Sequence, residues 1–557
     1  MQSERGDTGS TMHRTAGAVG FLAPVRRRTA VTLLLSATML VAGCAHDRVV
    51  VAADKACQLD LVDLSVDAIN KPTKSEGGVR SLVAGPPQAT LGDLVAEALS
   101  TPATPTPGVA FWPSGATPAT ENLILSGGGE WGSFGAGFMH EYGRRFGLPE
   151  YKVITGVSTG ALQSPFVFVG NVLVPKAAAR PRYNKENDTQ LRADDPQPTS
   201  LAGGRTYLDD LPLAYRISRS DSVVDVYISR PSNPTAFDGV TILRHGSGSH
   251  LRGLRERLQT LVDDNMLAAI AEAAGGDPKA GRQLFVGLVD MDDGKPYAVN
   301  MTALVSGWKS KPQPERDQAR NCFHDVLIAS SSEPLVARPV FIRRKNPDGT
   351  VLPTRMYMDG GMRHGVFLRE VVNPAARERV FSKLATGSPR PKIVTTVIIN
   401  GRLATKDKTE LDVATGKIDE KWLKEWGILG LAKRTQEIFT DQVYQMSTER
   451  VRLDAEKLGD VRLLAARGYQ DHSYAPTADD PQQGAARSCG WWQDDEKDEG
   501  FPPMFMRCLT SFGREMATAR DGGPKWLFPD GDDRHAANKP AAASDLATPV
   551  ETTVAAK

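Results

Sequence analysis

The chain has 557 residues, 40% of them hydrophobic, enough for one large α/β domain with insertions or for two ordinary domains. Its 67 basic and 66 acidic side chains leave a net charge of +1, so no global field of the kind that draws nucleic acid or an anionic surface is present. Composition by itself says nothing about a substrate.

At the N-terminus, Arg26-Arg27-Arg28 precedes an apolar run from Ala30 to Ala42 that closes with Gly43-Cys44. A basic cluster, a short apolar run and small residues, in that order, read as an export signal. The run is shorter than the ~20 residues of a bilayer-crossing helix, so cleavage is expected rather than a permanent span. The small residues before Cys44 resemble the bacterial lipobox. That resemblance implies removal of residues 1–43, lipidation of the Cys44 thiol and, with Ala45 rather than Asp next, sorting to the outer membrane facing the periplasm. The plain alternative is a buried apolar helix ending in a chance cysteine.

Residues 44–118 read as lipid-anchored lead-in and linker, because the stretch Thr101–Gly108 is built of Pro, Thr, Ala and Gly and cannot hold a regular element. The following alternation of segments, 119–520, reads as one α/β domain with a mainly parallel sheet. β-type runs are expected at Asn122–Leu125, Lys152–Thr155, Gln283–Val289, Arg355–Met358 and Lys392–Ile399. Apolar spacing of three and four predicts helices over Leu251–Ala274, Asn321–Ser330 and Ile418–Leu453, besides Phe134–Phe146 and Ala161–Val169. Val172–Gly204 and Gly307–Arg316 look like insertions, either of which could cover a site or be a plain exposed loop. Residues 521–557 are expected to be a disordered tail, since Asp530–Lys557 has almost no large apolar residue.

Three motifs carry chemistry. Gly156-Val157-Ser158-Thr159-Gly160 lies between a β-type run and an apolar helical stretch, so its glycines would let a strand turn sharply into a helix with the serine hydroxyl exposed. Gly127-Gly128-Gly129, followed by Glu130-Trp131-Gly132, exposes backbone N–H groups of the kind an oxyanion needs. A phosphate cradle is the competing reading, but no P-loop Lys-Ser/Thr follows, and nucleotide is not expected. Asp359-Gly360-Gly361 ends a β-type run, where sites sit in α/β sheets, although an isolated Asp-Gly-Gly is more often only a turn.

Together, Gly-Gly-Gly-x-x-Gly, then Gly-x-Ser-x-Gly, then a distant Asp-Gly-Gly closely resemble the patatin-like phospholipases. Further likeness lies in Leu284–Gly294, Ala329–Pro334 and Phe501–Leu509, so the resemblance spans roughly Glu121 to Thr518. It implies a three-layer α/β/α hydrolase fold and a Ser-Asp dyad, with Ser158 as nucleophile and Asp359 as its base. Gly127, Gly128, Gly129 and Gly132 would form the oxyanion hole, with no cofactor and no metal. The implied activity is hydrolysis of lipid carboxylic esters, as a phospholipase A, lysophospholipase or lipase, next to the membrane that holds Cys44. The family commonly has Arg or Lys where Trp131 stands, which would weaken loop anchoring or phosphate affinity and makes a neutral lipid more thinkable.

Other readings stay open. A triad would need one of the histidines after Ser158, namely His245, His250, His324, His364, His472 or His535, with His364 first because it follows Asp359 by five positions. A thioesterase, a protease or a non-catalytic lipid- or protein-binding lipoprotein could use the same fold. Besides Cys44, four cysteines remain, and Cys489 with Cys508 is the preferred bridge, against all four being reduced and buried.

Overall fold

The computed structural model describes residues 47–65, 90–100, 120–175, 205–226, 247–275, 281–368, 373–384, 390–401, 413–418, 428–458, 461–478 and 480–518. The described residues from Val49 onward form one compact unit. The signal-like segment, Cys44, Thr101–Gly108, most of the 172–204 insertion, His245, His535 and the 521–557 tail lie outside the described residues. Among the described residues no helix is long and apolar enough to cross a membrane.

In chain order the elements are β1 (Leu61–Asp63), α1 (Leu91–Ser100), β2 (Thr120–Leu125), α2 (Gly132–Phe146), β3 (Val153–Val157) and α3 (Thr159–Phe168). There follow α4 (Asp210–Tyr215), α5 (Arg252–Leu261), α6 (Asp264–Ala273), β4 (Gln283–Asp290), β5 (Lys295–Asn300), α7 (Met301–Val305) and α8 (Gln313–Ser330). The chain closes with β6 (Val340–Lys345), β7 (Val351–Asp359), α9 (Pro374–Phe381), β8 (Ile393–Ile399), α10 (Ile428–Leu458), β9 (Val461–Ala465), α11 (Cys489–Asp495) and α12 (Pro503–Ala517).

The sheet order is β1-β5-β4-β3-β2-β8-β9. β4, β3, β2, β8 and β9 are parallel neighbours, β5 and β1 extend one edge antiparallel, and the β6–β7 hairpin joins β4 antiparallel. Parallel pairs need crossovers, and the helices that supply them cover both faces. Side chains therefore alternate between two cores: Leu123, Leu125, Ile154, Leu284 and Val286 enter one, while Ile124, Val153, Phe285 and Val397 enter the other. The result is the three-layer α/β/α arrangement with a mainly parallel sheet.

Several expected boundaries shift for local reasons. Leu251–Ala274 is two helices, because the Asp263 carboxylate caps a fresh start by accepting from the Met266 N–H at 3.0 Å. Gly307–Arg316 is not an inserted loop. Trp308 is buried, and α8 begins at Gln313 with Pro314 in its first turn, where a missing N–H costs nothing. The helix expected from Ile418 starts at Ile428. Part of the lead-in belongs to the domain: Leu61–Asp63 is a sheet edge, Leu94, Val95 and Ala98 of α1 are buried, and the Cys57 N–H donates to the Arg343 carbonyl at 2.7 Å.

Cys489 and Cys508 are bridged, the preferred pair, and Cys57 bridges Cys322 on α8, with Cα separations of 5.5 and 5.7 Å. The second bridge fastens the lead-in to the domain across 265 residues of sequence.

Candidate active site

β3 stops at Val157 and the chain reverses into α3 through Ser158, whose φ of 52° and ψ of −124° place a side-chain-bearing residue in a sparsely populated region. Such a conformation costs on the order of 1–3 kcal/mol and persists only where the surroundings impose it. Two glycines impose it here. A Cβ on Gly156 would lie 2.5 Å from the Gly160 carbonyl oxygen, and one on Gly160 would lie 2.4 Å from that of Leu125. The Ser158 N–H donates to Ser330 Oγ at 2.9 Å, and that hydroxyl donates to the Gly287 carbonyl at 2.6 Å, pinning the turn to β4.

Asp359 arrives from the opposite direction. β3 pairs with β4 as far as Val157 opposite Gly287, and β7 takes over the same side of β4 with Asp359 opposite Leu288. The two strands therefore abut end to end, and their junction holds Ser158 and Asp359. Asp359 ends a sheet strand as expected, but β7 is antiparallel rather than one of the parallel strands. Ser158 and the Asp359 carboxylate line the same cavity, close enough for the serine side chain to lower the pKa of the acid, and Asp359 Oδ1 accepts the Gly361 N–H at 2.7 Å. Burial raises the Asp359 pKa to about 7, against Ser158 and the Gly361 N–H, which lower it.

The glycine loop lies above this pair. Gly128 has φ 150° and Gly129 φ 59°, and a Cβ on Gly128 would meet the Asn400 carbonyl at 2.6 Å, so only glycine lets the loop lie flat there. Buried amides hold it. Asn400 Nδ2 donates to the Ser126 carbonyl at 2.9 Å, its N–H to Ser126 Oγ at 2.8 Å, and Gln163 Nε2 to the Gly132 carbonyl at 2.6 Å. Gly132 departs from the expected role. It opens α2, its N–H donates to the carbonyls of Gly129 and Glu130, and a Cβ there would strike Thr159, so it packs against α3 instead of facing the cavity. Trp131, whose lack of a charge was expected to weaken loop anchoring, is buried with its ring 4.6 Å from that of Tyr469 and 5.2 Å from that of Phe505. Edge-to-face aromatic packing thus anchors the loop.

Ser158, Asp359, Gly128 and Gly129 line one cavity of about 730 Å³, walled on the far side by α10. Two of its residues had no role read from the sequence: Tyr444, which lies in no motif, and Glu333, which falls inside the Ala329–Pro334 likeness. The Tyr444 hydroxyl lies 2.0 Å from where a Gly127 Cβ would stand and 2.8 Å from that of Gly361. Burial, with the carboxylates of Asp359, Glu333 and Asp441, pushes its phenol far above the ordinary value, so it remains a proton donor. Glu333 accepts from Gln436 Nε2 at 2.7 Å, and burial, then the neighbouring Asp359 and Glu130, raises its pKa to about 7. Glu130, Glu333, Asp359, Glu437 and Asp441 all line the cavity, and among the described lining residues there is no lysine, arginine or histidine.

The described histidine candidates lie elsewhere. His364 is half-buried beside the backbone of Leu64, and its desolvation lowers its pKa. His324 bonds the Val262 carbonyl at 2.9 Å, and His472 faces Glu515 at 2.9 Å. His250 does not line the cavity. Among the described residues no group of three or more His, Cys, Asp or Glu side chains could hold a metal ion.

Residues 123–372 match the family model described as patatin-like phospholipase. Among solved structures, the crystal structure of VipD from Legionella pneumophila aligns with 12% identity over 71% of this chain and 67% of its own, at a TM-score of 0.22. No curated protein matches the chain.

Proposed function

Residues 123–372 form a patatin-like phospholipase domain, a family of lipid acyl hydrolases, and from that premise we propose that the chain cleaves carboxylic esters of lipids through a Ser158–Asp359 dyad. The observation that carries this reading is Ser158, held on a strained strand-to-helix turn, in one cavity with a buried carboxylate whose pKa is raised to about 7. A base poised near the working pH combines a useful ionised fraction with enough basicity to take the serine proton.

Ser158 Oγ attacks the ester carbonyl as its proton passes to Asp359. The N–H groups of the Gly127–Gly129 loop receive the charge that develops on the carbonyl oxygen; loss of one such donor costs about 3 kcal/mol in comparable sites. Tyr444 supplies a phenol donor on the opposite wall. The tetrahedral species collapses, the C–O bond to the alcohol breaks, and the proton held by Asp359 leaves with that alcohol. Asp359 then takes a proton from water, whose oxygen attacks the acyl-serine, and the fatty acid departs as Ser158 regains its hydrogen. No step requires a cofactor.

Five carboxyl groups and no lysine, arginine or histidine are among the described lining residues, and although Arg434 pairs with Glu437 and Lys433 acts on Glu333 from the flank, this acidic excess opposes an anionic phosphate at the scissile bond and favours an acyl ester with an uncharged head. The test is fatty-acid release from phosphatidylglycerol, phosphatidylcholine and diacylglycerol micelles by the parent, Ser158→Ala and Asp359→Ala proteins, with fluorophosphonate labelling of Ser158. Loss of release in both variants supports the dyad. Release that survives Asp359→Ala moves the base elsewhere, and a parent that is inactive and unlabelled makes this a binding protein. Preference for phosphatidylglycerol would overturn the uncharged-head assignment.

The proposal includes a lipid anchor on Cys44 and residence at the outer membrane, facing the periplasm. Two paired disulfides suit such an oxidising compartment. Labelled palmitate that is incorporated into the parent and not into Cys44→Ser supports the anchor; equal incorporation removes it.

A further inference from the structure

A helix on the surface of a globular domain ordinarily turns charged and polar residues outward. α10 does not. From Leu431 to Met446, about 22 Å of helix, its exposed positions are Leu431, Ala432, Thr435, Ile438, Phe439, Gln442, Gln445 and Met446, none of them charged. Phe439 is 67% exposed and Met446 63%. Charge on this face begins only at Glu449 and Arg450, while Lys433, Arg434 and Glu437 sit half-buried on the flank, where Arg434 pairs with Glu437 at 3.2 Å.

This apolar stripe continues into the cavity. Leu431 and Phe439 are both exposed and part of the lining, and so is Met362, which follows Gly361 at the Asp359 end. Pro334 lines the cavity too, and the next two residues, Leu335 and Val336, are exposed. Leu335 holds a φ of 66°, a left-handed backbone that a leucine adopts only at a cost, on a segment that the Gly248 N–H fixes by donating to the Leu335 carbonyl at 2.8 Å. Of the thirteen large apolar side chains exposed among the described residues, eight are on α10, at Met362 or in this segment. Scattered exposure needs no explanation, but concentration around one opening does.

We infer that this face is a lipid-surface docking site: Leu431, Ile438, Phe439 and Met446 of α10, with Met362 and Leu335 across the opening, enter the acyl region of a membrane so that an ester can pass from lipid to Ser158 without crossing water. The inference rests on the lipid-ester reading above. The occupant follows from continuity, because the stripe ends inside the cavity that would receive an acyl chain. The uncharged outer face points to burial in hydrocarbon and not to attraction by anionic head groups.

The test places an environment-sensitive NBD fluorophore on the face. In the full chain with Cys44→Ser the other four cysteines are paired, so Met446→Cys offers a single thiol; Asp348→Cys, on the exposed β6–β7 turn, is the control. Phosphatidylcholine vesicles should raise emission about threefold at 446, without dependence on moderate salt, and leave 348 unchanged. No rise at 446, or equal rises at both positions, overturns docking through this face. A rise at 446 with protein concentration and no vesicles assigns the face to a second copy instead. A companion Ile438→Asp/Met446→Asp protein should keep its rate on a monomeric short-chain ester and lose at least about tenfold on vesicle lipid; equal rates on both overturn the inference. If the parent cleaves no ester at all, the functional reading fails while the fluorescence still decides the docking.

Discussion

Replacement of Asp359 by asparagine should abolish turnover and make the protein more stable. Asp359 ionises near pH 7 in the fold against an ordinary value of 3.8, and a rise of about three pH units is ~4 kcal/mol of preference for the neutral acid. The sign follows from linkage. Below pH 3.8 the carboxyl is neutral folded and unfolded, and the group contributes nothing. Between about 4 and 7 the unfolded chain ionises while the fold does not, so native stability falls by ~1.4 kcal/mol per pH unit. Above 7 the full penalty is carried. Asparagine keeps the shape, with its oxygen able to accept from Gly361 and its amide facing Ser158, but has no charge to bury. Urea unfolding of parent and Asp359→Asn across pH 4 to 9 should show a gap of roughly 2–4 kcal/mol in favour of the variant at pH 8, closing towards pH 4. A variant less stable than the parent by the same amount at every pH would refute the reasoning, since that is the mark of lost packing.

Gly160→Ala should lower stability by about 1–3 kcal/mol and depress activity more than that implies, because the new methyl meets the Leu125 carbonyl at 2.4 Å and must push the Ser158 turn out of line; thermal melts beside probe labelling of Ser158 read both. Trp131→Ala should cost about 3–5 kcal/mol by opening the Tyr469–Phe505 pocket, and should lower kcat more than it raises KM. Cys57→Ser/Cys322→Ser frees a 265-residue loop and should cost up to about 5 kcal/mol, against about 3 for Cys489→Ser/Cys508→Ser with its separation of 19, as compared by denaturant midpoints.

The parallel strands were legible because burial on both faces makes them continuous apolar runs; all residues of β3 and β8 are buried. Three-residue β1 shows no period to read, and it owes its existence to pairing with β5, whose partner residues lie more than 230 positions away. The glycine motifs were visible because their chemistry is local: a sharp turn and a flat loop each demand the same residue type wherever they occur. Their supports were not. Asn400 and Tyr444 lie in no motif, and although Ser330 and Glu333 fall inside the Ala329–Pro334 likeness, what each does is given only by what the fold sets beside it. Ser158 and Asp359 were read correctly as neighbours of a strand end, but that two strands meet head-on along β4 is a fact of topology that no local pattern carries. Gly132 fitted its motif and still belongs to helix packing.

The parts that complete the cavity are spread unevenly along the gene product. Ser158 and Asp359 come from the stretch that matches the family model, yet Asn400 beneath the glycine loop, Tyr444 on the opposite wall, and Tyr469 and Phe505 behind Trp131 all come after residue 372. A chain still emerging from the ribosome, or halfway through a translocation channel, therefore has its serine and its acid long before it has a supported loop. The site proposed for lipid esters is complete only when the last described helix has docked.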